Sequence, residues 1–403
     1  NGRVGEREDD VDEGPSRPRR RTGAGIDVVS TDTETGALLG PELGPEQEAA
    51  SLPRLARHQI TLADGHQVGV AVCGRGVPIV LIHGFTAEGM LYAQTLSRIV
   101  TAGFKVVAID VASHGSTQGL PTGGATFEAY SRLLGRVVDE LGIRKAVFAG
   151  HSMGGRLVAE YAARNPDRAM TVILLDAIVG EPWDRIVAVS RVNPLVLAGI
   201  GGILLLDSVS TVPFLRDRRQ ALKLGRLVAP TVLDHIRRPW HLAGPGISIL
   251  RSRSSRWMLE RLRRQRVPVV AIHGDRDIVV PLATARSAAA LAGGLVVVVE
   301  GGTHSWLLKD PEALPAILRE LFDLPRARID QTRDFAAMGL PAEPSIDELE
   351  AAFYDEDAPV LALTPEIDLD AIHPEPRSSR YRWHLDSPEL RARRDFTPNG
   401  GSG

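Results

Sequence analysis

Eight short apolar runs constrain this chain most: "HQITLA", "QVGVAV", "PIVLIHG", "FKVVAID", "KAVFAG", "MTVILLD", "VPVVAIHG" and "LVVVVEG". They are rich in Val and Ile, and most end in Gly, Asp or His. Strands buried on both faces read this way. Segments of helical periodicity, such as Leu133–Leu141 and Arg156–Arg164, lie between them. Strand and helix alternate, so the spacing predicts an α/β fold with a mostly parallel central sheet and helices on both faces. The first two runs are separated by Asp64-Gly65-His66, a turn signal that makes them an antiparallel hairpin. Between Asp176 and Val267 the alternation stops and an Arg-rich, helix-like insertion intervenes.

With 403 residues, of which 43% are hydrophobic and 24% charged, the chain is long enough to bury a large core. Its single cysteine, Cys73, rules out an intramolecular disulfide framework. Residues 1–50 are charged, Gly/Pro-rich and without a secretory signal pattern, although the chain begins with Asn1 rather than Met. The longest apolar run, Leu195 to Leu206, falls short of the roughly 18 residues read as a membrane span. For the chain shown, the expected location is cytoplasmic or membrane-peripheral.

The stretch "KAVFAGHSMGG" runs an apolar strand into Ser152, with Gly150 and Gly154 two positions to either side, and then into a helix. A tight strand-to-helix turn needs those glycines, because side chains there would collide, and it leaves the serine hydroxyl at the carboxyl end of the sheet. A serine hydroxyl needs a base to become a nucleophile. His304, in "EGGTHSW" after the last strand, is placed to supply one, and "AIHGDRDIVVP" offers Asp275 and Asp277 to orient it. The order serine, acid, histidine fits this architecture. Oxyanion donors are expected from the Met153 amide and from the Phe85 amide in "LIHGFTA". His83, Gly84 and His151 are read as structural or pocket-lining. No cluster of metal-ligand spacing and no phosphate-cradling loop appears, so no cofactor or metal is expected.

Taken together, these motifs resemble the α/β-hydrolase superfamily, of the serine esterase or lipase type, over roughly residues 55–323. HGF at His83–Phe85, GHSMGG at Gly150–Gly155, GDRDIVVP at Gly274–Pro281 and the His304 loop match it. The resemblance makes Asp277 the acid and Asp275 a turn residue, with Asp176 as the alternative acid. A family turn, D-x-x-G-H-G-x-S, appears as "DVASHGST", where Ser113 and Thr117 replace its Gly and Ser and His114 belongs to the turn. The implied layout is an N-terminal segment, 1–54, disordered or extended; core, 55–178; helical cap or lid, 179–266; core, 267–324; and an acidic, Pro-rich extension, 325–403, ending in a linker-like GGSG.

From Phe214 to Arg266 the cap carries fourteen Arg or Lys against three acids, whereas Glu343 to Glu375 carries eleven acids and no Arg or Lys. One reading of the cap is a buried apolar helix followed by solvated arginines; the other is a lid that meets anionic membrane lipid. Nucleic acid ranks last, since no recognition module accompanies the arginines. The acidic tail is expected to lie across the basic cap, in its own chain or in a homo-oligomer, or to bind another protein. The implied function is hydrolysis of a carboxylic ester, hydrophobic or acyl-chain-bearing, through an acyl-enzyme. The alternatives are a thioesterase, a C–C bond hydrolase or an acyltransferase on the same triad, or a catalytically silent scaffold used for binding or assembly.

Overall fold

The computed structural model describes residues 28–30, 55–85, 92–120, 125–210, 243–323, 331–364 and 379–386. All eight apolar runs are strands of one sheet. They form β2 (Ala56–Thr61), β3 (Gln67–Cys73), β4 (Val77–Ile82), β5 (Phe104–Ile109), β6 (Ala146–His151), β7 (Ala169–Leu175), β8 (Val269–Gly274) and β9 (Leu295–Val299). Two edge strands join them from the terminal extensions, β1 (Val28–Ser30) and β10 (Trp383–Leu385). The order is β1-β2-β3-β5-β4-β6-β7-β8-β9-β10. From β5 to β9 every pairing is parallel. The β2–β3 hairpin and both edge strands are antiparallel. Strands β4 to β8 are buried along their whole length, which is why they lack the polar alternation of a one-sided sheet.

The core helices are α1 (Ala93–Val100), α2 (Phe127–Glu140) and α3 (Met153–Arg164). Among the described residues, four helices lie between β7 and β8: α4 (Glu181–Val192), α5 (Pro194–Ser210), α6 (Ala243–Arg251) and α7 (Arg256–Arg264). Of these, α7 buries Met258, Leu259 and Leu262 and belongs to the core packing. At the start of α5 Leu195 is 75% exposed, whereas Ile200, Ile203 and Leu204 are partly buried against the core. No helix among the described residues is long and apolar enough to cross a membrane. Helices α8 (Leu282–Ala292), α9 (Trp306–Lys309) and α10 (Ala313–Asp323) complete the second half of the core.

The C-terminal extension continues as α11 (Gln331–Ala337), α12 (Ile346–Phe353) and α13 (Pro359–Ala362). The capping box read from Ser345 and Glu348 starts α12. The acidic stretch was expected across the cap; its described part, up to Thr364, lies elsewhere. It packs at the amino-terminal ends of β4 and β6, where basic side chains outside the cap receive it. Arg75 pairs with Glu350 at 2.6 Å and Asp347 at 2.9 Å, and Arg144 with Asp355 at 2.9 Å. The Tyr354 hydroxyl donates to the Gly76 carbonyl at 2.9 Å, and the Arg144 amide to the Phe353 carbonyl at 2.8 Å. The exposed ion pairs contribute little. Apolar burial fixes the position instead, with Phe353, Tyr354 and Val360 all fully buried. Phe353→Ala therefore destabilises the whole domain by about 3 to 5 kcal/mol in urea unfolding; a loss below about 1 kcal/mol means the extension unfolds apart from the core. Residues 365–378 of the acidic stretch lie outside the described residues, as does most of the N-terminal segment.

Candidate active site

The carboxyl ends of β4, β6, β8 and β9 bring the predicted site together. Ser152 sits between β6 and α3 with φ 52° and ψ −115°, a conformation that non-glycine residues rarely adopt. Its amide donates to the Leu175 carbonyl at 2.8 Å, which locks the turn against β7. A Cβ on Gly154 would stand 2.3 Å from the Ile82 carbonyl oxygen, and one on Gly150 2.4 Å from the Gly154 backbone. Both positions accept only glycine, for the reason the motif implied.

His304 and Asp277 meet from two further loops. His304 Nδ1 lies 2.8 Å from Asp277 Oδ2. Asp277 Oδ1 accepts the Val279 and Val280 amides, each at 2.8 Å. Burial works to raise the Asp277 pKa, but the adjacent His304 outweighs it and holds the carboxyl below the usual carboxylate range. The carboxylate thus fixes the proton of His304 on Nδ1. That leaves Nε2 as an acceptor, buried and without a hydrogen-bond partner among the described residues.

Asp277, and not Asp176, is the carboxylate hydrogen-bonded to His304. Its Oδ1 accepts the Gly274 amide at 2.9 Å and its Oδ2 the indole N–H of Trp306. Burial and then the charge of Asp277 push its pKa well above the carboxylate range. Asp176, His273 and Asp277 bring ligand-type atoms within 4.8 Å of one another, a grouping that sequence spacing did not reveal. His273 Nε2 is 2.8 Å from the Val280 carbonyl. With Asp277 on His304 and Asp176 on Trp306, all three residues brace the loops that carry the base.

His83 and His151 are both held in defined tautomers. Val111 N–H donates to His83 Nε2 at 2.8 Å, so the proton of His83 is on Nδ1 and goes to the Gly84 carbonyl, also at 2.8 Å. The trans peptide then turns the Phe85 N–H the opposite way. His114 Nε2 lies 2.6 Å from the Phe85 carbonyl and holds the next peptide. A Cβ on Gly84 would approach His151 Nδ1 to 3.0 Å and Ser152 Cβ to 3.3 Å, so this loop lies directly on the elbow. Among the described residues neither the Phe85 nor the Met153 amide donates a hydrogen bond.

His151 joins the elbow to the base. Its Nε2 is 2.9 Å from the His304 carbonyl, which only accepts, so Nδ1 accepts the Tyr92 hydroxyl at 2.9 Å. Burial, followed by the nearby His304, lowers the His151 pKa to about 3. The folded state therefore keeps His151 neutral down to about pH 3, while the unfolded chain binds a proton below about pH 6.5. In that window stability falls as pH falls, by up to about 1.4 kcal/mol per pH unit from this group. A His151→Gln variant loses stability less steeply between about pH 6 and pH 4; equal slopes in urea titrations contradict the assignment. Tyr92 and Trp306 had no signal in the sequence, because a hydrogen bond across the fold leaves no local pattern.

Fold and site define the class: the chain matches the family model for the alpha/beta hydrolase fold over residues 77–311 and belongs to that family. It is 35% identical over 273 residues to a putative non-heme haloperoxidase of Mycobacterium phage D29, covering 66% of this chain and 95% of the relative. A non-heme chloroperoxidase of Streptomyces lividans is 28% identical over 278 residues, covering 63% and 95%. Two solved structures share the fold. A membrane phospholipase A described as a bacterial virulence factor has a TM-score of 0.54 at 21% identity, over 72% of this chain and 90% of that one. An esterase from Exiguobacterium antarcticum has a TM-score of 0.50 at 20% identity, over 64% and 97%.

Proposed function

We propose that this protein is a serine hydrolase that cleaves carboxylic esters bearing an apolar acyl group. The observation that carries the reading is His304, oriented by Asp277, bonded through its carbonyl to His151 of the Ser152 elbow, and presenting a buried Nε2 without a partner among the described residues. Ser152 Oγ attacks the ester carbonyl while His304 Nε2 takes its proton. The Phe85 and Met153 amides hold the oxyanion. His304 returns the proton to the leaving alcohol, then activates water, which releases the acid and regenerates Ser152.

Exposed apolar side chains on the cap support an acyl substrate. Val189, Val192 and Leu195 at the α4–α5 junction are 51%, 85% and 75% exposed, and Ile278, next to Asp277, is 70% exposed. The excess of arginine in the insertion's sequence adds support for peripheral contact with anionic lipid. A series of p-nitrophenyl esters tests the reading, with kcat/KM rising from acetyl to octanoyl. Rates that fall with every added carbon remove the acyl-chain part. Matched thioesters separate ester from thioester preference.

The relatives named as haloperoxidases favour a second reading of the same site. Hydrogen peroxide replacing water as the acyl acceptor would give a peracid and free Ser152, and the peracid would oxidise halide. Peroxide-dependent halogenation of an activated diketone, abolished in Ser152→Ala, is the result that supports it.

A further inference from the structure

The His304–Ser305 peptide is gripped from both sides. Its carbonyl accepts from His151 Nε2 at 2.9 Å, on the nucleophile elbow. Its N–H, on Ser305, donates to Asp207 Oδ2 at 2.9 Å. Asp207 belongs to α5, between β7 and β8 and far in sequence from the loop it holds. It is the one charged residue between Pro194 and Ser210, directly after an apolar, glycine-containing run that ends at Leu206. A carboxylate in such a helix would ordinarily face water, because burying it unpaired is costly. Here it is 7% exposed, whereas Leu195 at the start of the same helix is 75% exposed. The burial is made tolerable by the Ser305 amide and by Lys309, whose Nζ is 3.9 Å from Asp207 Oδ1. Lys309 also donates to Thr303 Oγ1 at 2.8 Å, so it ties both flanks of His304 to the same carboxylate.

We infer that Asp207 is a positioning residue through which the α5 segment sets the main-chain orientation of the base, so that placement of α5 and competence of His304 are coupled. The inference rests on the triad reading above and adds to it the origin of the base's alignment. Four restraints converge on this loop. Asp277 holds the ring, His151 the carbonyl, Asp176 the Trp306 indole and Asp207 the Ser305 amide. The first three come from the hydrolase core. Of these four bonds among the described residues, the fourth comes from the insertion, so it is the one that movement of α5 can release. A base displaced by a fraction of an ångström transfers its proton poorly, whereas ground-state binding of a small ester is little changed.

The experiment compares wild type, Asp207→Ala and Asp207→Asn in full-length protein, by steady-state kinetics on p-nitrophenyl butyrate and by hydrogen exchange of the 194–210 and 303–310 segments. Asp207→Ala is expected to lower kcat by about tenfold to a hundredfold with KM within about twofold. Exchange should rise in both segments. Asp207→Asn, which keeps an acceptor for the Ser305 amide, should return kcat to within about threefold of wild type. An unchanged kcat in Asp207→Ala overturns the inference. So does faster exchange confined to 194–210, or an Asn variant as impaired as the Ala variant. If wild type hydrolyses no ester and takes up no fluorophosphonate, the triad reading fails, and the exchange data alone still decide whether Asp207 couples the two segments.

Discussion

If Ser152 is the nucleophile proposed above, Ser152→Ala is expected to lower kcat for a p-nitrophenyl ester by about 10⁵ to 10⁶-fold, with little change in KM and no loss of folded stability. The magnitude follows from how the triad works as a unit: without the oxygen nucleophile, His304 and Asp277 have no proton to move, and the residual rate comes from oxyanion donors and binding alone. Stability is preserved because the contacts that hold the elbow are made by the backbone. The Ser152 amide bonds Leu175, and its carbonyl accepts from Gly155 and Ile178. Alanine keeps all of them, and it retains the positive φ of 52° that the surrounding glycine packing imposes. A residual rate within tenfold of wild type, checked with burst-free steady-state assays, would mean that another group performs the attack.

Asp277→Asn has the next largest effect, about 10⁴-fold in kcat. Asparagine can keep the two amide bonds from Val279 and Val280 through its carbonyl oxygen. Its NH₂ group then faces His304 Nδ1, where a carboxylate oxygen stood at 2.8 Å. Nδ1 must now accept, which moves the imidazole proton to Nε2 and removes the base. The variant should therefore fold but fail in the chemical step. Asp176→Asn separates the two acids: it loses a bond to Gly274 or Trp306 and weakens the loop, but leaves the His304 tautomer intact. If Asp176→Asn costs more activity than Asp277→Asn, the assignment of the acid is wrong.

Much of this was legible in the chain. Strands buried on both faces carry their own signature, and each of the eight runs became a strand because β-branched residues pack well on a covered sheet. GHSMGG was readable because only glycine fits where the elbow backbone meets β4. The capping box at Ser345 is local by nature and was equally plain. Ser113 was a visible departure from the family turn. It adopts φ 69°, so it holds a left-handed position where glycine would be unstrained, while Asp110 still organises the turn through Arg57 and the Ser116 amide.

What could not be read depends on side chains that meet only in three dimensions. Nothing around Tyr92 announces a hydrogen bond to His151, and nothing around Asp207 announces one to Ser305. The place of the described part of the acidic tail was hidden for a related reason. Counting charge by region pairs the largest positive excess with the largest negative one. The described tail instead follows its buried Phe353 and Tyr354 to the opposite end of the sheet, and Arg75 and Arg144 happen to be there. Similarly, β1 and β10 are three-residue edge strands, too short to show periodicity.

The most direct measurement is intact-mass analysis after incubation with a fluorophosphonate, followed by peptide mapping. An activated serine displaces fluoride from phosphorus and keeps the phosphonate, whereas an ordinary hydroxyl does not react. A Ser152–His304–Asp277 triad gives one adduct per chain, located on Ser152, absent from Ser152→Ala and formed at least a hundredfold more slowly in Asp277→Asn. A folded wild-type protein that takes up no probe, or an adduct that persists in Ser152→Ala, contradicts it.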